Sequence, residues 1–420
     1  MVSTPTPDNS NATGLTAAER TFVREHIQDD VATLLLKHRS SPNLDIQKVV
    51  KQIAARQKAR YKLPEWYLNE QLLFPPPLSV EQGSSQATAR YKAGLVVGGH
   101  LAGGHLAGRH LIDITGGMGV DCYYMSQSFE QTTYFEQQPE VARSAAYNLQ
   151  VLGADHITIR NEEALSALSQ HPIPADWIYA DPARRDEQQR KVVRLADCTP
   201  DIVTALPLLQ RCAPRLLVKT SPLLDIDLSV KELQGVQEVH VIGLESECKE
   251  VLYLITTDTP ATHEPILKVR ILNADGSTLA GFDFTRPDEA RAEVQLGEPM
   301  KYLYEPHATL LKAGAFRSVA SRFGLIKIAP SSHLYTSDEW LPDFPGRGFA
   351  VVAVCKPDAR ELHAYLPEGK ANLTLRNFPA TIQDLRKKWK IREGGDRYLF
   401  ATTLADGRKL VVVTQKPPLS

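Results

Sequence analysis

The chain has 420 residues, 43% hydrophobic and 23% charged, the balance of an ordinary soluble protein with a large core and two to four domains. Its formal net charge of −1 excludes a global electrostatic pull toward nucleic acid, so any such contact needs a local patch. Five scattered cysteines (Cys122, Cys198, Cys212, Cys248, Cys355) form no C-x-x-C pair and support neither a disulfide framework nor a zinc site. No apolar run reaches transmembrane length, and no basic leader precedes an apolar core. The expectation is a cytoplasmic protein with no membrane contact and no metal.

Residues 1–14 hold almost nothing apolar and read as a disordered tail. An N-terminal helical domain is expected over 15–92. Thr16 and Glu19 make a capping box, opening a helix with Phe22, Val23, Ile27, Val31, Leu34 and Leu35 on one face. A second helix is expected from Asp45 to Tyr61, with Ile46, Val49, Val50, Ile53 and Ala54 inward and Pro64 as its stop. Its outer face, Lys48, Lys51, Arg56, Lys58, Arg60 and Lys62, reads as either a solvated surface or an RNA-facing one. After the stiff Pro75-Pro76-Pro77 link, Ser84 or Ser85 caps a helix running into Val97. His100, His105 and His110 recur every fifth residue, which is no helix face, and lack accompanying Cys or carboxylates; a flexible glycine loop is expected there.

From Leu111 the pattern changes. Leu111, Ile112 and Ile114 read as a buried strand that ends in Gly116, Gly117 and Gly119, where the absence of Cβ lets a ligand approach the backbone. A helix can start at Val120, its free N–H groups facing the turn. A dinucleotide fingerprint starting at Gly117 fails at Cys122, where Gly or Ala is needed. Strands follow at 132–136, 156–160, 176–180, 215–219, 237–244 and 250–256, mostly separated by helices such as Pro139 to Leu152. Such alternation predicts a mainly parallel α/β sheet covered on both faces, with ligands at the carboxyl ends of its strands. Gly117, Glu136, Asn161-Glu162-Glu163 and Asp181 all fall at those ends.

Asp113, Thr115, Gly117 and Gly119 resemble the D-x-G-x-G-x-G turn of class I S-adenosylmethionine (SAM) methyltransferases, with Thr115 replacing the first glycine. Tyr134-Phe135-Glu136 is similar to the end of the second strand in those enzymes, and Asp181-Pro182 to the Asp/Asn-Pro-Pro-aromatic corner of enzymes that methylate exocyclic base amines. The wider chain resembles a bacterial family of class I methyltransferases with a THUMP-like C-terminal domain. The matching stretches are Glu81-Gln82 through Lys92, Lys219-Thr220-Ser221-Pro222, Glu247-Cys248-Lys249-Glu250, Tyr304-Glu305-Pro306-His307, Lys312 to Phe316 and Ser332 to Ser337.

That resemblance implies a Rossmann-like methyltransferase sheet over 93–259, a ferredoxin-like module over 260–305 and a THUMP-like domain over 306–420. It implies SAM as cofactor, bound by Asp113, Thr115, Gly116, Gly117, Gly119, Asp121, Glu136, Asn161 and Glu162, with Gln82, Ser84, Ser85 and Thr88 in the segment that would fold over the pocket. Glu136 would take both ribose hydroxyls, since a carboxylate is an acceptor for two donors. Asp181 and the Pro182 carbonyl would hold the acceptor amine and turn its lone pair toward the methyl. Arg184 stands where the stacking aromatic is expected, and would stack by its guanidinium plane or bind phosphate. An RNA guanine N2 is the favoured acceptor; a protein or small-molecule acceptor, or a SAM-binding protein without catalysis, are the alternatives. For RNA contact the candidates are Arg185 and the basic run Arg386 to Arg392 around Trp389, chiefly Lys387, Lys388, Lys390 and Arg392. A solvated helix with Trp389 in the core is the competing reading of that run.

Overall fold

The computed structural model describes residues 14–38, 44–98, 108–184, 194–258, 260 and 263–417. The expected tail, His100, His105 and Arg185 lie outside the described residues, as does the side chain of Arg184. The chain forms two compact units. The first comprises Met1–Gln237, Glu250–His263 and Leu272–Ser277; the second comprises Glu238–Lys249, Glu264–Ile271 and Thr278–Ser420.

The first unit opens with α1 (Ala17–Glu25), whose capping box forms as expected: Thr16 Oγ1 accepts from Glu19 N at 3.2 Å, and Glu19 accepts from Thr16 N at 2.8 Å. The single helix expected to continue through Leu35 is in fact two. The chain turns after Glu25, and Asp30 caps a separate α2 (Val31–Lys37) by accepting from Thr33 N. Helix α3 (Ile46–Lys62) buries Val49, Val50, Ile53, Ala55 and Ala59. Pro64 does not merely stop it but occupies the first turn of α4 (Pro64–Leu68), where its missing N–H costs nothing. Arg56, expected on the outer face, is buried. Its guanidinium donates to the carbonyls of Tyr67, Asn69, Glu70 and Leu72, closing the turn after α4. Two further short helices follow, α5 (Pro77–Gln82) and α6 (Gln86–Val96), the latter capped by Ser85.

The sheet of this unit is built on β1 (Gly108–Asp113), flanked in parallel by β2 (Phe129–Phe135) and β4 (Trp177–Ala180). β3 (Ile157–Arg160) pairs with β2, and β5 (Arg215–Thr220) pairs with β4, both in parallel. The chain passes through β6 (Val236–Leu244) and then returns as β7 (Glu247–Thr256), antiparallel to β5. Helices α7 (Val120–Ser126), α8 (Pro139–Val151), α9 (Ala164–Gln170) and α10 (Ile202–Cys212) make the crossovers. This is the doubly wound sheet that the resemblance implied, and it places the ends of β1, β2 and β4 side by side: Asp113 is level with both Tyr134 and Tyr179. His110 lies within β1, where its ring contacts Pro174 O and Thr133 Oγ1, both at 2.9 Å, a structural rather than metal-binding role.

In the second unit a seven-stranded sheet runs in the order Ile326–Lys327, Tyr335–Ser337, Tyr302–Pro306, Gly346–Cys355, Lys409–Gln415, Arg397–Thr403, Asn372–Arg376. The last pair is parallel and the others antiparallel. The final hairpin, Arg397–Thr403 with Lys409–Gln415, turns at Gly407, whose φ of +87° suits only glycine without strain. Gly314 (φ +76°) ends the helix Ala308–Ala313, and a second helix follows at Arg317–Phe323. Trp389 is fully buried on the helix Ile382–Trp389 and packs with Leu362, Leu399 and Val411.

Candidate active site

Gly116 must be glycine for a packing reason. A Cβ there would lie 2.1 Å from the ring of Tyr134, whose hydroxyl donates to Gly117 O at 2.6 Å. Gly117 (φ +57°) and Gly119 (φ +83°) turn the chain left-handed into α7. The loop is tied to its neighbours at both ends. Gly117 N donates to Glu136 Oε2 at 3.0 Å, and Asp181 N donates to Thr115 Oγ1 at 2.7 Å. The glycine turn, Glu136 and Asp181 therefore share one end of the sheet.

Glu136 also accepts from Gln138 N at 2.7 Å, leaving further lone pairs open on a half-buried carboxylate. Asn161 donates its side-chain amide to Glu136 O at 2.7 Å, and Glu162 pairs with Arg160. Both lie beside the loop with their polar groups engaged by the protein. Thr88 is buried, and its N and Oγ1 bond to Ser85 Oγ and O across the cap of α6. Of the residues expected over the pocket, Ser84 is the one whose hydroxyl reaches Asp121.

Ser84 donates to Asp121 Oδ2 at 2.6 Å, and Tyr179 donates to the same oxygen at 2.6 Å. Lys92, fully buried, lies 3.1 Å from Asp121 Oδ1 and 2.6 Å from Glu250 Oε1. Lys219 donates to Asp181 Oδ2 and stands 4.0 Å from Asp121. A charge network thus joins α6, α7, β4, β5 and β7. Burial raises the Asp121 carboxyl, but Lys92, Lys219 and the two hydroxyl donors outweigh it and hold it below the usual carboxylate range. Burial likewise lowers the Lys219 ammonium, and Asp181, Asp121 and Glu250 more than reverse that, so it stays charged. Three carboxylates against two ammonium groups leave one net negative charge.

Asp113 behaves differently. Burial pushes its carboxyl up, the bond from Thr115 N at 2.9 Å opposes this, and the charges of Asp121 and Asp181 add to the rise, to about 8. At neutral pH it is mostly protonated. Beyond Asp181-Pro182, Ala183–Arg184 forms a short antiparallel ribbon with Cys198–Thr199.

Lys92, Tyr179, Lys219 and Glu250 were missed as site residues. Lys92, Lys219 and Glu250 lie in stretches singled out in the sequence, but nothing in those stretches reveals which way the side chains point. A lysine ending the apolar run Leu216-Leu217-Val218 was the available signal, because a charge at the carboxyl end of a buried strand faces the ligand crevice.

In the second unit, Lys387, Lys388 and Lys390 are exposed and make no ion pair among the described residues. Arg386 pairs with Glu393, and Arg392 donates to Glu368 O.

Residues 302–345 match a ferredoxin-like domain family and 346–416 a THUMP domain-like family. The ferredoxin-like match begins within the end of the 260–305 span expected from the sequence and continues past it. The crystal structure of a protein from Porphyromonas gingivalis W83 named as a methyltransferase is 31% identical, with a TM-score of 0.80, covering 95% of this chain and 97% of that one. Relatives from two Mycobacterium tuberculosis strains, CDC 1551 / Oshkosh and H37Rv, are each named as uncharacterized S-adenosylmethionine-dependent methyltransferases. Each is 24% identical over 360 residues, which is 84% of this chain and 91% of the relative. With the doubly wound sheet, the glycine turn and these full-length likenesses together, the chain belongs to the bacterial family of class I SAM-dependent methyltransferases that carry a C-terminal THUMP-like domain.

Proposed function

We propose that this methyltransferase acts on an exocyclic amine of an RNA base, with guanine N2 favoured. The observation that carries the proposal is the Asp181-Pro182 corner beside the glycine turn. Lys219 holds one Asp181 oxygen, and among the described residues the other accepts no hydrogen bond, so it is the one that would accept from an amine. Such an amine is a poor nucleophile because its lone pair is delocalised into the ring. Hydrogen bonds to Asp181 and to the Pro182 carbonyl would turn that lone pair toward the methyl group, so alignment does most of the work. Asp181 would also offset the positive charge that develops on nitrogen.

SAM supplies a methyl group on a sulfonium. In this reading the Gly116–Gly119 turn lets it approach the backbone, and Glu136 receives the ribose hydroxyls with its open lone pairs. Asn161 and Glu162 border the adenine. Asp113, Thr115 and Asp121 shape the floor, and the net negative charge of the network favours a cationic donor over its neutral product. Thr88 and Ser85 hold the covering helix, while Ser84 links it to Asp121. Lys387, Lys388, Lys390 and Arg392 would contact phosphate, as would Arg184 and Arg185.

The test is transfer of labelled methyl from SAM to total RNA and to total protein, both from a strain lacking the gene, with nucleoside analysis of the product. Label in N2-methylguanosine that vanishes with Asp181→Ala is the expected result. Label in protein alone, or equal transfer by the variant, refutes the reading.

A further inference from the structure

The motif Tyr304-Glu305-Pro306-His307 has no part in the methyl-transfer site, yet it builds something specific in the second unit. Glu305 is 3% exposed and holds two arginines at once. Arg347 donates Nε (2.9 Å) and Nη2 to Oε2; Arg376 donates Nε (3.1 Å) and Nη2 (2.7 Å) to Oε1. One buried carboxylate therefore fixes two guanidinium planes through the same edge of each. The Nη1 groups make no hydrogen bond among the described residues, and the arginine side chains are 54% and 35% exposed. The pair keeps one net positive charge and points preorganised forks outward. Fixed forks lose little entropy on meeting a phosphate, the anion whose oxygens they match.

The neighbourhood adds three features. His333 sits at φ +49°, an uncommon backbone state for a non-glycine residue. Its ring stacks on Phe316 with centroids 4.0 Å apart, and its buried Nδ1 has no hydrogen-bond partner. Burial and the charges of Lys327 and Arg376 hold this imidazole neutral. Lys327 is itself buried; its ammonium donates to Pro330 O at 2.6 Å, its one hydrogen bond among the described residues, and lies close to the Phe316 ring. The other nearby carboxylate, Glu289, is consumed by the amides of Phe316, Arg317 and Ser318. An arginine pair with one net positive charge, an aromatic pair and an unpartnered ring nitrogen, brought to one end of the sheet by the pairing of Tyr304 with Tyr335 and of Glu305 with Arg347, describe the chemistry of an unpaired nucleotide.

We infer that Glu305, Arg347, Arg376 and His333 form a phosphate-binding site, which takes a phosphate of single-stranded RNA while the aromatic pair receives the attached base. The inference rests on the RNA reading for its source of phosphate, but not for the site itself. The test uses Arg347→Gln, which leaves Arg376 on Glu305, and His333→Asn, since Asn tolerates the left-handed backbone. Thermal melting of each variant verifies folding. Binding of a fluorescently labelled 20-nucleotide mixed-sequence RNA is measured by anisotropy across a salt series, and inorganic phosphate is tested for its effect on melting temperature. The expected result is about tenfold weaker RNA binding by Arg347→Gln, with the salt slope smaller by about 0.7. His333→Asn should weaken binding several-fold with the slope unchanged. Phosphate should raise the melting temperature of the wild type and not of Arg347→Gln. If phosphate stabilises in this Arg347-dependent way while RNA does not bind, the phosphate site stands and its RNA source is overturned. If RNA binds equally to all three proteins and phosphate stabilises none, the site is overturned, and methyl transfer to RNA remains a separate measurement.

Discussion

Replacing Lys219 by methionine tests the active-site reading most directly. The side chain is 11% exposed and its ammonium bonds Asp181 Oδ2. Methionine keeps the apolar stem and removes only the charge. Breaking a fully buried pair costs about 3–5 kcal/mol. Asp181 is 37% exposed, so water screens part of the loss and stability should fall by about 1–2 kcal/mol. The kinetic effect should be larger than the stability effect suggests. Without Lys219, Asp181 rotates and meets Asp121 and Glu250 with one lysine fewer between them. Misplacing an aligning group costs about 100-fold, or about 2.7 kcal/mol of barrier. The assay is steady-state methyl transfer with calorimetric SAM binding and a melting curve on the same preparation. The expected pattern is a fall in kcat of about 100-fold, a change in SAM affinity of less than about fivefold, and partial recovery in Lys219→Arg. A variant whose kcat stays within threefold of wild type, while remaining folded, would show that Asp181 needs no cation to position it.

Gly116→Ala should abolish SAM binding and destabilise the fold by more than about 2 kcal/mol, because the added methyl meets the Tyr134 ring at 2.1 Å; the double variant with Tyr134→Leu should recover part of the stability, and calorimetric binding with melting curves checks both. Asp113 gives a pH test. Its folded carboxyl titrates at about 8 against an ordinary 3.8, so the folded state holds a proton that the unfolded state releases. Stability from this group is therefore present at low pH and lost as pH rises from about 4 to about 8, at no more than ~1.4 kcal/mol per pH unit. Asp113→Asn should accordingly gain melting temperature relative to wild type as pH rises over that window, and parallel curves would refute it. Changing Lys387, Lys388 and Lys390 together to alanine should weaken binding of single-stranded RNA about tenfold at moderate salt and lower the salt slope by about two, read by anisotropy, without altering SAM affinity.

The parallel sheet was legible because buried strands and their crossover helices leave distinct periods in the chain, and Gly117, Glu136 and Asp181 occupy the strand ends where that pattern put them. The helix boundaries were less so. Periodicity continues across His26–Asp30, but Asp30 offers a better cap than the helix offers a continuation, and the tertiary contacts chose the break. Arg56 shows a different limit. Its position on the helix reads as polar, yet four backbone carbonyls in a tight turn need donors, and a long forked side chain satisfies them from inside. Lys92 was unreadable for the same reason. A pattern of apolar and polar residues says which face is buried, not which buried charge meets which.

The network of charges accounts for why the segment before the first strand belongs to the site at all. A cover packed only by apolar contacts would be free to slide by a side chain's width at little cost, because such contacts are not directional. Ser84 and Lys92 lie at the two ends of the cover, in the turn before α6 and near its C-terminal half. Both reach Asp121 on the first turn of α7, and Lys92 also reaches Glu250 on β7. Lys219 carries the same connection from β5 to Asp181. Buried pairs contribute little net stability, since desolvation consumes most of the attraction. They are nevertheless costly to break and tolerant of only one arrangement. That is the property the proposed reaction would require of Gly117 and Asp181, which follow different strands and would have to keep a fixed separation for an in-line transfer, where an ångström of drift costs orders of magnitude in rate.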